Sequence, residues 1–92
     1  MLLYIVVSVP SGLQSNGGGT QLKLTIYNNR AEAVTLYWVN YTGAAVKYHT
    51  LQPNQGYIQR TYGSHPWIVA DAQDNVIAAF TPYTSDLKIT IE

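Results

Sequence analysis

Strict alternation is the feature that most limits how this chain can fold. Leu22, Leu24 and Ile26 alternate with Lys23, Thr25 and Tyr27. Val34, Leu36, Trp38 and Asn40 alternate with Thr35, Tyr37, Val39 and Tyr41, and Leu87, Ile89 and Ile91 with Lys88 and Thr90. A period of two sends successive side chains to opposite faces of a strand, so each run has one face to bury and one to wet. No window repeats with the period of a helix. Turn formers break the alternation at Asn28-Asn29-Arg30, Thr42-Gly43, Gln52-Pro53-Asn54-Gln55-Gly56, Gly63–Pro66, Gln73-Asp74-Asn75 and Pro82 to Asp86. Short strands between regular turns mark an all-β sandwich or barrel. The spacing predicts strands at Leu2–Val9, Leu22 to Tyr27, Val34 to Tyr41, Ala45–Leu51, Tyr57–Tyr62, Trp67–Ala72, Val76–Phe80 and Leu87–Ile91.

At 92 residues there is room for a single domain, residues 1–92, with one core. A domain of this size buries roughly 60–65% of the surface its unfolded chain exposes. The chain has no Cys, so it has no disulfide framework, thiolate metal site or Cys nucleophile. Charged residues are 11% of the chain, against about 25% in an average soluble protein. Five cations balance five acids, and Lys23, Arg30, Lys47, Arg60 and Lys88 are scattered along the sequence, so no basic patch for nucleic acid is visible. Leu2 to Val7 is too short an apolar run to span a bilayer and lacks the basic flank of a signal peptide. This leans towards the cytoplasm without fixing the compartment. Residues 1–21 read as an extra strand, Leu2–Val9, followed by a loop with a flexible Asn16-Gly17-Gly18-Gly19 centre. With so few charges guarding its edges, the extra strand is expected to join a sheet edge or to pair with a second copy as a homo-oligomer.

Chemical motifs are sparse. Ser64, His65 and Asp71 make a triad by residue type, but Ser64 and His65 are neighbours and no nucleophile elbow surrounds the serine. Neither His49 nor His65 has a partner at metal-ligand spacing, and no paired carboxylates suggest acid–base work. The Gly-rich loop lacks the lysine and following helix of a phosphate loop. No catalytic residue, metal or cofactor is therefore expected. Asn40-Tyr41-Thr42 matches a glycosylation acceptor, although Asn40 is more simply the turn former before Thr42-Gly43. The group that stands out is Trp38, Tyr48, Thr61, His65 and Trp67. Singly, the tryptophans read as core and the histidine as a loop residue. Together they offer three aromatic surfaces, a hydroxyl and an imidazole, the ingredients of a small selective pocket.

The segments Trp38-Val39-Asn40-Tyr41-Thr42-Gly43, Tyr48-His49-Thr50-Leu51 and Thr61-Tyr62-Gly63-Ser64-His65-Pro66-Trp67 closely resemble the β domain of the von Hippel-Lindau tumour suppressor family. The resemblance runs from about Ile26 to Ile91, most specifically from Trp38 to Trp67, and leaves Leu2 to Gln21 without an identified counterpart. It implies a prealbumin-like β sandwich of about seven to eight strands. In that family a hydroxylated proline of a hypoxia-inducible transcription factor lies between aromatic walls. By resemblance, Trp38, Tyr48 and Trp67 would be the walls here, and Tyr48 would also reach the peptide carbonyl. Thr61 and His65 would hold the hydroxyproline hydroxyl. Tyr62 and the backbone near Arg60 would flank an extended peptide added as a strand.

Physical chemistry supports that pairing of ligand and site. A hydroxyproline hydroxyl both donates and accepts, as does Thr61, and a neutral His65 has one nitrogen of each kind. Unmodified proline would leave both groups without partners. Thr61 stands where the family motif has Ser, which keeps the hydroxyl and adds a methyl. The sequence ends at Glu92 without the family's helical α domain, so no elongin C partner and no ubiquitin-ligase adaptor role is expected. The first expectation is a prolyl-hydroxylated peptide reader. The alternatives are a structural or self-associating β domain and a carbohydrate-binding module.

Overall fold

The computed structural model describes residues 9–10, 12–17 and 19–92. The predicted strand Leu2–Val9 lies outside the described residues except for Val9, which is not in a strand. The described residues form seven strands, β1 (Gln21–Asn28), β2 (Val34–Val39), β3 (Ala45–Leu51), β4 (Gly56–Tyr62), β5 (Trp67–Ala70), β6 (Val76–Phe80) and β7 (Leu87–Ile91). They form two sheets, of order β4-β1-β7 and β3-β2-β5-β6, and no described residue is helical. Among the described residues all pairings are antiparallel except β1 with β7. The alternating pattern thus yields an all-β sandwich.

Two strands stop short of their predicted bounds, and a side chain explains each. Val34 to Tyr41 was predicted as one strand, but β2 stops at Val39. Asn40 Oδ1 accepts from the Thr42 N–H at 3.0 Å, the Thr42 hydroxyl at 2.8 Å and the Ala44 N–H at 2.9 Å, which turns the chain early. Likewise β5 stops at Ala70 rather than Ala72. Asp71 Oδ1 there accepts from the N–H groups of Gln73 and Asn75, both at 2.9 Å.

The core between the sheets holds Leu24, Ile26, Val34, Leu36, Leu51, Trp67, Val69 and Ile91. The alternation breaks in β5, where all four residues are buried. Trp67 and Val69 face the other sheet. Ile68 and Ala70 face outward and pack with Val39 beneath Val9 and Leu13. The four-stranded sheet is thus covered on both faces at β5, the condition under which a strand reads as a continuous apolar run.

Asn28, predicted only as a turn residue, is the polar knot of the far end. It is fully buried at the end of β1. Its Nδ2 donates towards the carbonyls of Glu32, Leu51 and Gln52 at 2.9, 3.1 and 3.2 Å, and its Oδ1 accepts from Arg30 N–H at 3.0 Å. Its backbone also bonds Asn54 and Gln55. One side chain thus ties the β1–β2 and β3–β4 connections together.

Two outcomes follow from these loops. Asn28→Ala strands buried carbonyls and should lose about 2–3 kcal/mol in urea unfolding. Asn28→Asp should not rescue it, because a carboxylate cannot donate to a carbonyl. In the β5–β6 turn, the Asn75 N–H does most to hold the Asp71 carboxyl below its ordinary value. Partial desolvation opposes it, and the Asn75 amide, the Gln73 N–H and the charge of Arg30 add to it. A lowered carboxylate pKa adds stability above the ordinary value, which is lost as pH falls through the lowered one. Asp71→Asn should therefore melt below the parent chain at neutral pH, and the two melting temperatures should converge in acid.

Candidate functional site

β3 and β4 are edge strands of opposite sheets, joined by a short turn, so they border the same flank of the sandwich. Near the turn that flank is closed by His49 stacked flat on Tyr57, with ring centroids 3.9 Å apart and planes at 8°. Further along it opens into a cleft of about 210 Å³. Trp38, Tyr48, Arg60, Thr61, Tyr62, His65 and Trp67 all line this cleft, joined by Tyr41 and Gln59.

Tyr48 reaches the cleft through a bulge. Along the β2–β3 ladder Leu36 pairs with His49 and Tyr37 with Lys47, which leaves Tyr48 as an extra residue with no partner. A bulge re-aims a side chain at a sheet edge. The exposed Tyr48 ring meets Trp67 edge-on at 5.1 Å and Trp38 at 6.2 Å.

Trp67 lines the cleft and also belongs to the core, being only 2% exposed. A buried indole N–H needs an acceptor, and Thr61 Oγ1 supplies it at 2.8 Å. With that oxygen already accepting, the Thr61 O–H is left to donate. Trp38, half-buried on β2, solves the same problem differently. Its Nε1–H donates to Ser15 Oγ at 2.7 Å, and the Ser15 hydroxyl donates to the Val39 carbonyl at 2.5 Å. Ser15 is 2% exposed and comes from the N-terminal loop.

The β4–β5 loop carries His65. Neighbouring chain holds it on both sides: Gly63 N–H bonds Thr20 O at 2.8 Å, Ser64 N–H bonds Pro82 O at 2.9 Å, and Val39 N–H bonds Pro66 O at 3.0 Å. A side chain at Gly63 would collide with the Tyr83 carbonyl, and one at Gly19 with the Gly63 backbone. Gly19, predicted as part of a flexible connector, is instead a site of close backbone approach. Ser64 takes a left-handed φ of 69°, which turns the chain so that His65 enters the cleft. The imidazole is 7% exposed and stacks on Trp38 at 5.6 Å and 27°. Tyr41 and Tyr62 also border it, each at 5.6 Å. Its ring nitrogens bond no described residue.

Sequence reading missed Tyr41, Gln59 and Ser15. Tyr41 was assigned to a strand, and its place in the turn before Gly43 was the signal that could have put it beside Trp38. Nothing local marks Ser15, whose partner is 23 residues away.

Two sheets and a ring-walled cleft at a strand edge with which no described residue pairs define a β-sandwich binding domain. The chain matches the family described as the VHL beta domain over residues 13–79, and it belongs to that family. Membership carries a role in protein–protein interaction. The match begins at Leu13, so the stretch to Gln21 that the sequence resemblance left without a counterpart is partly inside the family domain.

Each of the two indole N–H groups has its own hydroxyl acceptor, which makes them separable by NMR. Ser15→Ala should shift the Trp38 indole resonance and leave that of Trp67 in place, with a stability loss of about 1–3 kcal/mol for the orphaned donor. Ser15→Thr should restore the resonance.

Proposed function

We propose that the cleft holds a hydroxylated proline of an extended peptide that adds to the edge of β4. The observation that carries this reading is the pairing of two polar groups with capacity to spare. The Thr61 hydroxyl already accepts from Trp67 and can donate inward. The His65 imidazole lines the same cleft and has no hydrogen-bond partner among the described residues. A ligand hydroxyl would accept from Thr61 and donate to the unprotonated nitrogen of His65. The surrounding rings suit a flat apolar pyrrolidine. A volume of about 210 Å³ is below the roughly 300–1,000 Å³ of drug-sized sites, and fits one side chain.

The strand edge supports the same reading. Among the described residues β4 pairs only with β1, which leaves its other side to an incoming strand. Gln59 currently reaches from its side chain to the Arg60 carbonyl at 2.9 Å, and a bound peptide would compete for that acceptor. No catalytic step is part of this reading. The cleft recognises a modification through a hydroxyl that proline lacks.

A peptide with 4-hydroxyproline should bind at least tenfold more tightly than its proline twin by calorimetry, about 1.4 kcal/mol. Thr61→Val and His65→Ala should each remove most of that preference. Thr61→Val also takes away the Trp67 acceptor, so His65→Phe, which keeps the ring packing, is the cleaner variant. Trp67→Ala serves poorly as a probe of stacking, because it also opens the core. Equal affinity for the two peptides would overturn the reading.

A further inference from the structure

The outer face of the β4-β1-β7 sheet gathers charge that the sequence scatters. Lys23 and Arg60 are direct cross-strand partners in β1 and β4. Lys88 lies on the same face, opposite Thr25 in β7. All three side chains are exposed, and none makes an ion pair among the described residues. Arg30 instead pairs with Glu32 at 2.8 Å and bonds the Glu92 carbonyl, while Asp71 and Asp74 sit in the β5–β6 turn. The remaining acid, Asp86, uses Oδ1 to accept the Lys23 backbone N–H at 2.8 Å. A chain of net charge zero therefore presents a cationic strip on one sheet face.

The strip adjoins the cleft. Arg60 lines both the aromatic cleft and a second hollow of about 260 Å³, formed with Gln21, Leu22, Lys23 and Asp86. Like charges directly opposite across an antiparallel pair destabilise a sheet, and the Asp86 carboxylate in the same hollow is the one acid set against the two cations there. A second carboxylate beside Arg60 would balance the remaining positive charge.

We propose that this strip selects peptides with an Asp or Glu at an odd offset from the residue held in the cleft. The inference rests on the strand-addition reading above. An added strand alternates its side chains between the two faces. If the cleft residue points inward beside Thr61, its neighbours at odd offsets emerge on the outer face beside Tyr62, Arg60 and Ile58, all exposed. Residues at even offsets return to the inner side. The preference is therefore for a position, not for overall negative charge.

The test is a matched set of hydroxyproline and proline peptides carrying Asp, Asn or Lys at offsets one and two on either side. Exposed ion pairs are weak, so Asp at one or both single offsets should tighten binding about three- to fivefold over Asn in low salt. Lys there should weaken it, and Asp at offset two should change nothing. The gain should vanish near 1 M salt, where the screening length is about 3 Å. Lys23→Gln should leave the Asn peptide unaffected and reduce the gain from Asp. Arg60→Gln should abolish the gain while the folded chain becomes no less stable, as relief of like-charge repulsion requires. Hydroxyproline preference without any effect of Asp at odd offsets would overturn this inference and leave the pocket reading standing. An Asp effect with proline and hydroxyproline equal would overturn the pocket reading alone. No binding of any peptide would overturn both.

Discussion

Two indole N–H groups must be satisfied for this flank of the sandwich to exist, and the site is arranged around how that is done. A buried donor without an acceptor costs on the order of 1–3 kcal/mol, a large share of what a small domain has to spare. Trp67 finds Thr61 on β4, the strand facing it across the cleft, and Trp38 finds Ser15 from the N-terminal loop. Each bond fixes the plane of a ring that lines the cleft. Each also draws a second segment into place, so positions of walls and polar groups are not independent. Thr61 is held by the same bond that directs its remaining hydrogen-bonding capacity away from Trp67.

The β3 bulge and the β4–β5 loop complete the enclosure from opposite sides. An unbulged β3 would carry Lys47 and His49 on one face and Tyr48 on the other. Inserting one residue keeps His49 stacked on Tyr57 while freeing Tyr48 to meet Trp67. On the other side, His65 sits on a loop whose backbone is clamped by Thr20 and Pro82. Both features are local departures from regular pairing. A hydrogen-bonding site needs such departures, because a regular sheet uses its backbone groups up in the ladder and points its side chains only up or down.

The alternation made most of the fold legible. Ala45–Leu51, Val76–Phe80 and Leu87–Ile91 are strands with the predicted bounds, because apolar-polar alternation with flanking turn residues is a local signal. The seven residues read as a site from Trp38 to Trp67 line one cleft because β2, β3, β4 and β5 are consecutive and their crossings are short. What the sequence hid depends on register between distant segments. Ser15 meets Trp38 across 23 residues, and Asn28 reaches Leu51 and Gln52 across 23 and 24. Lys23 lies beside Arg60 only because β1 and β4 pair in one particular register, and a slip of one residue would put them on opposite faces.

The N-terminal loop shows how a segment outside the sheets becomes part of the site. Val9 and Leu13 cover the outward face of Val39, Ile68 and Ala70, and two residues further on Ser15 bonds both Val39 and Trp38. Asn16 and Thr20 then touch the loop that carries His65. Burial of an apolar face anchors the segment, and its polar backbone and one hydroxyl set the orientation of the rings. A ligand that requires Trp38 and His65 in this arrangement would, by linkage, stabilise the docked segment. The walls of the cleft are supplied by the sheets, and their alignment by the segment laid across them.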